Sequence, residues 1–197
     1  MPGLRITRSR AVFEALLPAV LTQKVTGLEA ARAIRGLVRA LGEPAPGPAG
    51  LRLPPPPEAL AALPYEWFHR FGVEMRRANV LRHAAARADR LEEAGAMDLA
   101  SARRRLLAFP GVGPWTAAEV AVVALGDADA VSVGDYHIPN TVAWALAGEP
   151  RADDERMLEL LEPYAGHRGR VIRLLEAAGI SAPRYGPRAT VRSIRNL

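Results

Sequence analysis

The segment that most constrains the fold is Leu106–Val120, which reads LLAFPGVGPWTAAEV. Two helix-like runs are separated here by the short segment Pro110–Gly113. Because two glycines flanking one apolar residue permit backbone angles that other residues avoid, this segment predicts a tight hairpin between two helices. Pro114 suits the first turn of the second helix, since its φ is already helical and its missing N–H has no intrahelical partner there.

The start of that second helix predicts an anion site. The first N–H groups of a helix lack intrahelical partners, and the helix dipole adds positive potential around them. A phosphate is the natural occupant, and a contact of this kind carries no information about base sequence. The expected donors are the backbone N–H groups of Gly111, Gly113, Trp115 and Thr116.

An isolated acid, Asp135, follows Trp115 by twenty residues and directly precedes a predicted helix over residues 136–146. The commonest role of an aspartate before a helix is that of an N-cap, which accepts hydrogen bonds from the first amides. The same amides and the helix dipole would stabilise a functional carboxylate. Asp127 and Asp129 are nearby rivals, although their segment is typical of a polar turn.

Composition favours a globular protein with an acidic partner. Apolar residues make up 49% of the 197 residues, and the net charge is +5, with a pI near 10.3. This balance favours nucleic acid over a membrane surface as partner. The absence of cysteine excludes disulfides, thiolate zinc sites and a cysteine-ligated iron–sulfur cluster. No signal peptide or membrane span is predicted, so we expect a cytoplasmic protein.

Helical periodicity predicts an all-α protein, because no alternating strand pattern stands out. We interpret the proline- and glycine-rich segment 43–57 as an extended connector with little internal hydrogen bonding. The tail, residues 181–197, carries four arginines and no acid, and is either a basic arm on phosphate or a frayed end. The predicted helices span residues 9–21, 27–41, 73–94, 98–107, 114–125, 139–146, 153–161 and 168–178.

The hairpin followed by Asp135 resembles the helix-hairpin-helix DNA glycosylases, most closely the 3-methyladenine DNA glycosylase II branch. The resemblance runs from about Phe13 to Gly179 and includes the segments 21–26 and 162–168. It implies a two-lobed helical fold with a cleft between lobes. The expected lobes are residues 27–130, and the first helix with residues 131–180. Members of this branch carry an N-terminal β-rich domain, and we expect either that the protein lacks it or that the present sequence begins after it.

The resemblance implies that Asp135 is the catalytic acid. Cleavage of an N-glycosidic bond puts positive charge on the sugar, so a fixed carboxylate near the anomeric carbon stabilises the transition state. Related enzymes that also cut the strand place a Schiff-base lysine two residues after the last hairpin glycine. Trp115 stands there, and Lys24 is the one lysine of the chain. A monofunctional hydrolase without lyase activity is therefore expected.

The resemblance also suggests walls for the pocket that would receive a flipped-out base. The tryptophan matching Trp115 forms such a wall in the alkylation-repair branch, and its electron-rich face suits cationic bases such as 3-methyladenine and 7-methylguanine. Tyr136 and Tyr164 are further candidate walls, although an aromatic at helical spacing is more often part of a core. Glu119 shares a helix face with Trp115 and would either sense a cationic base or pair with an arginine.

Two further expectations concern DNA contacts. Members of the family insert a side chain of the loop at residues 22–26 into the gap left by the flipped base, and Gln23 and Lys24 are the candidates here. Backbone carbonyls of Leu107, Phe109 and Val112 are expected to hold Na⁺ or K⁺ against a DNA phosphate. No other cofactor is expected, and a monomer acting on double-stranded DNA with a damaged base is the expected assembly.

Two alternatives remain open from the sequence. One is a catalytically silent helix-hairpin-helix DNA-binding protein, because inert modules also use the hairpin. The other is a glycosylase of the same fold for a different base, such as mismatched adenine or uracil. The spacing between the hairpin and Asp135 favours an enzyme over the silent module.

Overall fold

A computed structural model describes residues 3–183 and Ile194. Every regular element within these residues is helical, which confirms the predicted all-α class. Contacts divide the described part of the chain into two compact units, residues 11–112 and residues 3–10 with 113–183. The first helix thus packs with the central helices, and residues 113–130 group with the C-terminal helices, which differs from the lobes expected from the sequence.

The unit of residues 11–112 is built around a central helix. Helix α5 (Met75–Ala85) packs against α1 (Val12–Leu21), α3 (Pro57–Ala62), α4 (Tyr65–His69) and α6 (Ala88–Glu92). A short 3₁₀ turn, Glu93–Ala96, follows α6. Leu16, Leu37, Phe68, Leu81 and Leu106 are fully buried in this unit, and burying a side chain of that size contributes about 1.5–3 kcal/mol. The helices are α1 (Val12–Leu21), α2 (Gly27–Leu41), α3 (Pro57–Ala62), α4 (Tyr65–His69), α5 (Met75–Ala85), α6 (Ala88–Glu92) and α7 (Leu99–Leu107).

Helix starts in this unit use both local and distant caps. The Thr26 hydroxyl accepts from the Glu29 N–H, and the Glu29 carboxylate accepts from the Thr26 N–H, which forms a capping box at α2. The start of α1 is capped from far along the chain, because the Glu92 carboxylate accepts from the N–H groups of Val12 and Phe13 at 3.0 and 2.8 Å. The first cap is a sequence motif, whereas the second exists only through the packing of α6 near α1.

The second unit packs α9 against both α10 and α11. Ile138, Val142, Met157, Leu161 and Ile172 form its core. The helices are α8 (Pro114–Val120), α9 (Ile138–Ala147), α10 (Asp154–Leu161) and α11 (Arg168–Ala177), with a π turn at Ala121–Leu125 and a 3₁₀ turn at Glu162–Tyr164.

The loop before α9 is tied to the start of α11. The Asp129 carboxylate accepts from the Gly166 N–H and from the Arg168 guanidinium. The hydrogen bond from Arg168 lowers the pKa of Asp129 to about 2. Gly169 has no room for a side chain, since a Cβ there would lie 2.4 Å from the Ala130 carbonyl oxygen. Asp129 thus has a structural role, because it fixes the start of α11, and this agrees with its predicted place in a polar turn.

Three predictions about local structure need correction. The predicted helix 73–94 is broken between α5 and α6, and α3 and α4 were not predicted. The connector has internal hydrogen bonds, because the Ala45 N–H donates to Leu51 and the Leu53 N–H donates to Glu43. Backbone pairing within a proline-rich segment has no periodic signature. The basic tail lies outside the described residues except for 181–183 and Ile194.

Candidate active site

Asp135 is fixed at the start of α9. Its Oδ1 accepts hydrogen bonds from the backbone N–H groups of His137 at 2.7 Å and Ile138 at 2.9 Å. His137 occupies the N-cap position of α9, so Asp135 caps the helix from two residues earlier, through the N–H groups of the N-cap residue and of the first helical residue. The cap uses one carboxylate oxygen, and the second oxygen is directed elsewhere.

Trp115 joins the hairpin helix to this carboxylate. It lies in the first turn of α8, and its indole Nε1–H donates to Asp135 Oδ2 at 2.8 Å. Both residues are partly exposed. Two residues singled out separately in the sequence therefore form one hydrogen-bonded pair, and the carboxylate is held in a single orientation by three donors.

The pair lines a cavity of about 340 Å³ within the unit of residues 113–183. Its apolar wall comes from α9, α11 and the segment after α11. With neutral histidine, the ionisable side chains include three carboxylates and one guanidinium, so the wall carries a net negative charge. The lining residues are Trp115, Glu119, Asp135, His137, Ile138, Thr141, Val142, Ile172, Arg173, Leu175, Glu176 and Ile180.

Glu119 is held by an arginine from a distant helix. Arg173 Nη2 lies 2.9 Å from each Glu119 oxygen, and Arg173 Nη1 lies 2.8 Å from Glu176 Oε2. The Ser132 hydroxyl also donates to Glu119. Burial acts to lower the pKa of Arg173, but the two carboxylates outweigh it and raise that pKa. Of the two roles considered for Glu119, pairing with an arginine is the one this structure contains.

The two candidate tyrosines lie outside the cavity lining. Tyr136 is 85% exposed, and its ring makes an edge contact with His137. Tyr164 lies in the 3₁₀ turn and is 41% exposed. Sequence reasoning missed His137 and Arg173, which do line the cavity. The one available signal for Arg173 was a glutamate, Glu119, among small and apolar residues of α8, because a partly buried carboxylate needs a cationic partner.

The two hairpin glycines have different structural requirements. Gly111 has φ +82°, and a Cβ there would lie 2.2 Å from Val80 Cγ2. Gly113 has φ −92°, and a Cβ there would meet nothing within 4 Å. The expectation that both glycines serve unusual backbone angles is therefore right for Gly111 and wrong for Gly113. Neither backbone angle nor packing explains the absence of a side chain before α8.

The loop at residues 22–26 is anchored by two side chains. The Gln23 amide donates to the Gly111 carbonyl oxygen at 3.0 Å. The guanidinium of Arg77, which is 3% exposed, donates to the Leu21 carbonyl at 2.8 Å and to Gly72. Burial lowers the pKa of Arg77. Lys24 is exposed, with a left-handed backbone at φ +52°. Of the two predicted insertion residues, Lys24 is the more accessible.

The predicted carbonyl ligands lie at the last residue of α7, Leu107, and in the segment after it, at Phe109 and Val112. The Phe109 carbonyl already accepts from the Val112 N–H at 3.0 Å, which uses one of its two lone pairs. Neutral oxygens at the negative end of a helix dipole are suitable donors for an alkali cation. No cluster of three acidic or histidine side chains suited to a metal occurs in the described part of the chain.

Among the described helices, none combines the length and apolar character required to cross a membrane.

Known proteins resemble this chain in sequence and in fold. No protein-family model matches the chain. A probable bifunctional transcriptional activator/DNA repair enzyme AlkA from Mycobacterium tuberculosis is 36% identical over 136 residues, which is 68% of this chain and 27% of that protein. The chain thus spans about a quarter of this curated relative.

Solved structures share the fold. A 3-methyladenine DNA glycosylase from Archaeoglobus fulgidus superposes with a TM-score of 0.72 at 24% identity, covering 84% of this chain and 57% of that one. An 8-oxoguanine glycosylase/lyase from Clostridium acetobutylicum, in complex with double-stranded DNA, gives 0.71 at 20% identity, covering 90% and 63%. The all-α fold and these similarities show that the chain resembles helix-hairpin-helix DNA glycosylases in fold and a DNA repair enzyme in sequence.

Proposed function

We propose that the protein is a monofunctional DNA glycosylase that excises N-alkylated purines from double-stranded DNA in base excision repair. The observation that carries this proposal is the pairing of Asp135 with Trp115 in the wall of one cavity. A silent DNA-binding module has no need of a carboxylate oriented by three donors in a cavity wall.

In the proposed reaction, Asp135 faces the positive charge that develops on the deoxyribose. The C1′–N bond breaks, and the base leaves with the bonding electron pair. A water oxygen then bonds to C1′, and its proton passes to Asp135 or to solvent, leaving an abasic sugar. Because the donors to Asp135 are in place before substrate binds, the carboxylate needs no reorientation during the reaction.

The charge of the cavity supports a cationic base. Trp115 and the net negative lining favour 3-methyladenine and 7-methylguanine, which carry a positive charge, over neutral bases. The AlkA relative is a probable DNA repair enzyme, which supports a role in DNA repair. The 8-oxoguanine glycosylase/lyase shares the fold alone, so an oxidised or mismatched base is the second candidate substrate.

The side chain at position 115 supports hydrolysis without lyase activity. A lyase needs an amine nucleophile, and the indole of Trp115 cannot form a Schiff base. The chain's one lysine, Lys24, lies in the loop before α2. We therefore propose that the abasic strand stays intact after the base is released.

DNA contacts are proposed at the hairpin and at the loop of residues 22–26. The open space at Gly113 would let a phosphate approach the backbone N–H groups of Gly111, Gly113, Trp115 and Thr116. Lys24 would enter the gap left by the flipped base. Carbonyls of Leu107, Phe109 and Val112 would hold an alkali cation, which would supply positive charge toward a DNA phosphate.

The test uses duplexes carrying 7-methylguanine, 3-methyladenine, 8-oxoguanine or a uracil mismatch. The wild type should release the two methylated purines faster than the other two bases. Asp135→Asn should lower the single-turnover rate by about 10²-fold or more, as loss of a key electrostatic group does. Asp127→Asn, the same change in the polar turn outside the cavity lining, is the matched control and should keep the rate.

Two results would contradict the proposal. The hypothesis of a glycosylase that uses Asp135 is refuted if the wild type releases none of the four bases, or if Asp135→Asn releases base as fast as Asp127→Asn. The monofunctional reading fails if borohydride traps a covalent complex between the protein and DNA, because only a Schiff base is trapped in this way.

A further inference from the structure

One exposed face of α2 carries three arginines without an acid between them. Arg32, Arg35 and Arg39 are all exposed and recur at helical spacing, so they follow one side of the helix. From Arg32 to Arg39 this row is about 10 Å long, at 1.5 Å per residue. The cavity residues described above lie elsewhere, in the unit of residues 113–183.

A fourth arginine faces the same row because a glycine allows close packing. A Cβ on Gly36 would lie 2.4 Å from the Phe71 ring, so only glycine lets this ring rest on α2. Arg70, the neighbour of Phe71, is thereby brought beside the row, and its guanidinium stacks over the Trp67 ring at 5.4 Å. These residues enclose an open groove of about 440 Å³, here named the α2 arginine groove: Arg32, Arg35, Gly36, Arg39, Arg70 and Phe71.

The groove concentrates positive charge that acids do not neutralise. Within the described residues, none of its four arginines forms a salt bridge. By contrast, Arg105, Arg156, Arg168 and Arg173 each pair with a carboxylate. Four like charges kept together repel one another, so an anionic ligand would relieve a cost that the free protein carries.

We propose that the α2 arginine groove binds backbone phosphates of the duplex that flanks the target base. The proposal rests on the proposed function, because it assumes that the loop before α2 meets the lesion. The α2 helix begins directly after that loop. At 1.5 Å per residue, Arg32 and Arg39 lie about 8 and 18 Å along α2 from Gly27. If α2 follows the duplex, these distances correspond to about two to five base pairs at 3.4 Å each.

The shape of the groove favours a nucleic acid strand over a compact anion. Three of its guanidinium groups follow one another along a helix instead of converging on one point, and all four of its arginines are exposed. Arginine forks bind phosphate oxygens in a bidentate manner. Contacts of this kind are independent of sequence, so they would hold undamaged and damaged DNA alike.

The test measures how binding of an undamaged duplex of about 20 base pairs depends on salt. Each phosphate contact contributes about 0.9 to the slope of log K against log salt concentration. In the variant Arg32→Gln/Arg35→Gln/Arg39→Gln, this negative slope should therefore become shallower by about 2 to 3 between about 50 and 200 mM salt. Glutamine keeps a good helix propensity, and circular dichroism would verify that α2 remains folded. Arg70→Gln alone should lower the slope by about 1.

A control triple variant removes the same charge from exposed arginines outside the groove. It consists of Arg5→Gln, Arg76→Gln and Arg151→Gln. The proposal is overturned if the two triple variants have the same slope. It is also overturned if inorganic tripolyphosphate or a polyglutamate peptide binds the groove more tightly than duplex does, since these results indicate a small-anion or an acidic-protein site.

Failure of the proposed function gives a different result. Base release by saturating enzyme should be unchanged in the groove variant, because its arginines lie outside the cavity lining. If the wild type releases no base, and the groove variant still has the smaller salt dependence of duplex binding, the glycosylase proposal is refuted and the groove proposal stands. If the wild type releases base, and the groove variant has the same salt dependence of duplex binding as the wild type, the groove proposal alone is refuted.

Discussion

The hydrogen bond between Trp115 and Asp135 predicts a measurable coupling in protein stability. In Asp135→Asn the amide oxygen can still accept from the N–H groups of His137 and Ile138, at the positions that are now 2.7 and 2.9 Å from Oδ1. Losing the negative charge weakens each of these bonds by about 1 kcal/mol. The amide nitrogen then faces the Trp115 indole N–H, which loses its acceptor at a cost of about 1 kcal/mol.

These contributions predict that Asp135→Asn lowers the free energy of unfolding by about 3 kcal/mol in the wild-type background. In Trp115→Phe the facing N–H is gone, so the same change should cost only about 2 kcal/mol. The coupling energy of the cycle is therefore about 1 kcal/mol, which urea denaturation of the four proteins can resolve if their m-values agree.

Strict additivity would refute this reasoning. If Asp135→Asn costs the same with tryptophan or phenylalanine at position 115, the indole does not stabilise the carboxylate. The catalytic readout is separate. Trp115→Phe keeps Asp135 and should release base more slowly than the wild type, whereas both proteins with asparagine should release it at least about 10²-fold more slowly.

Three further predictions concern the hairpin, the cavity and the loss of folding stability at low pH. Gly111→Ala should cost more than about 2 kcal/mol in thermal unfolding, because strain and a clash add there, whereas Gly113→Ala should keep the Tm and weaken duplex binding measured by fluorescence anisotropy. Arg173→Met exposes two carboxylates to the cavity and should raise the kcat/KM ratio of 7-methylguanine over a uracil mismatch by about fivefold, for about 1 kcal/mol of added attraction. Because Arg168 lowers the folded-state pKa of Asp129 to about 2, below its unfolded value, the pair stabilises the fold above about pH 4 and this contribution is lost as the pH falls toward 2. Asp129→Asn should flatten that part of the stability profile, measured by urea unfolding at successive pH values.

Features set by a few adjacent residues were predictable from the sequence. The hairpin, the start of α8 at Pro114 and the capping box of α2 all arise from local backbone preferences and short side-chain reach. The position of Asp135 before a helix was predictable for the same reason, and family resemblance linked it to Trp115.

Features set by packing between distant segments were not predictable. Arg173 meets Glu119 across 54 positions, and Glu92 caps α1 across about 80, without any periodic trace in the chain. Tyr136 follows Asp135 directly, yet its side chain points to solvent, because neighbouring residues at a helix start project in different directions. The broken helix between α5 and α6 contains no proline or glycine at the break to reveal it.

The anchoring of the loop at residues 22–26 has a mechanical consequence. Arg77 ties the carbonyl at the end of α1 to the turn at Gly72, and Gln23 ties the next turn to the Gly111 carbonyl. A side chain such as Lys24 that pushes into a base stack experiences an equal reaction force, which a slack loop would dissipate by bending. In this structure, the reaction force on the loop would be transmitted by the buried guanidinium of Arg77 to α5 and to the helices packed around it. If Lys24 enters the DNA as proposed, the anchored loop would resist bending, so most of the work of separating stacked bases would be done on the DNA and little of it would deform the protein.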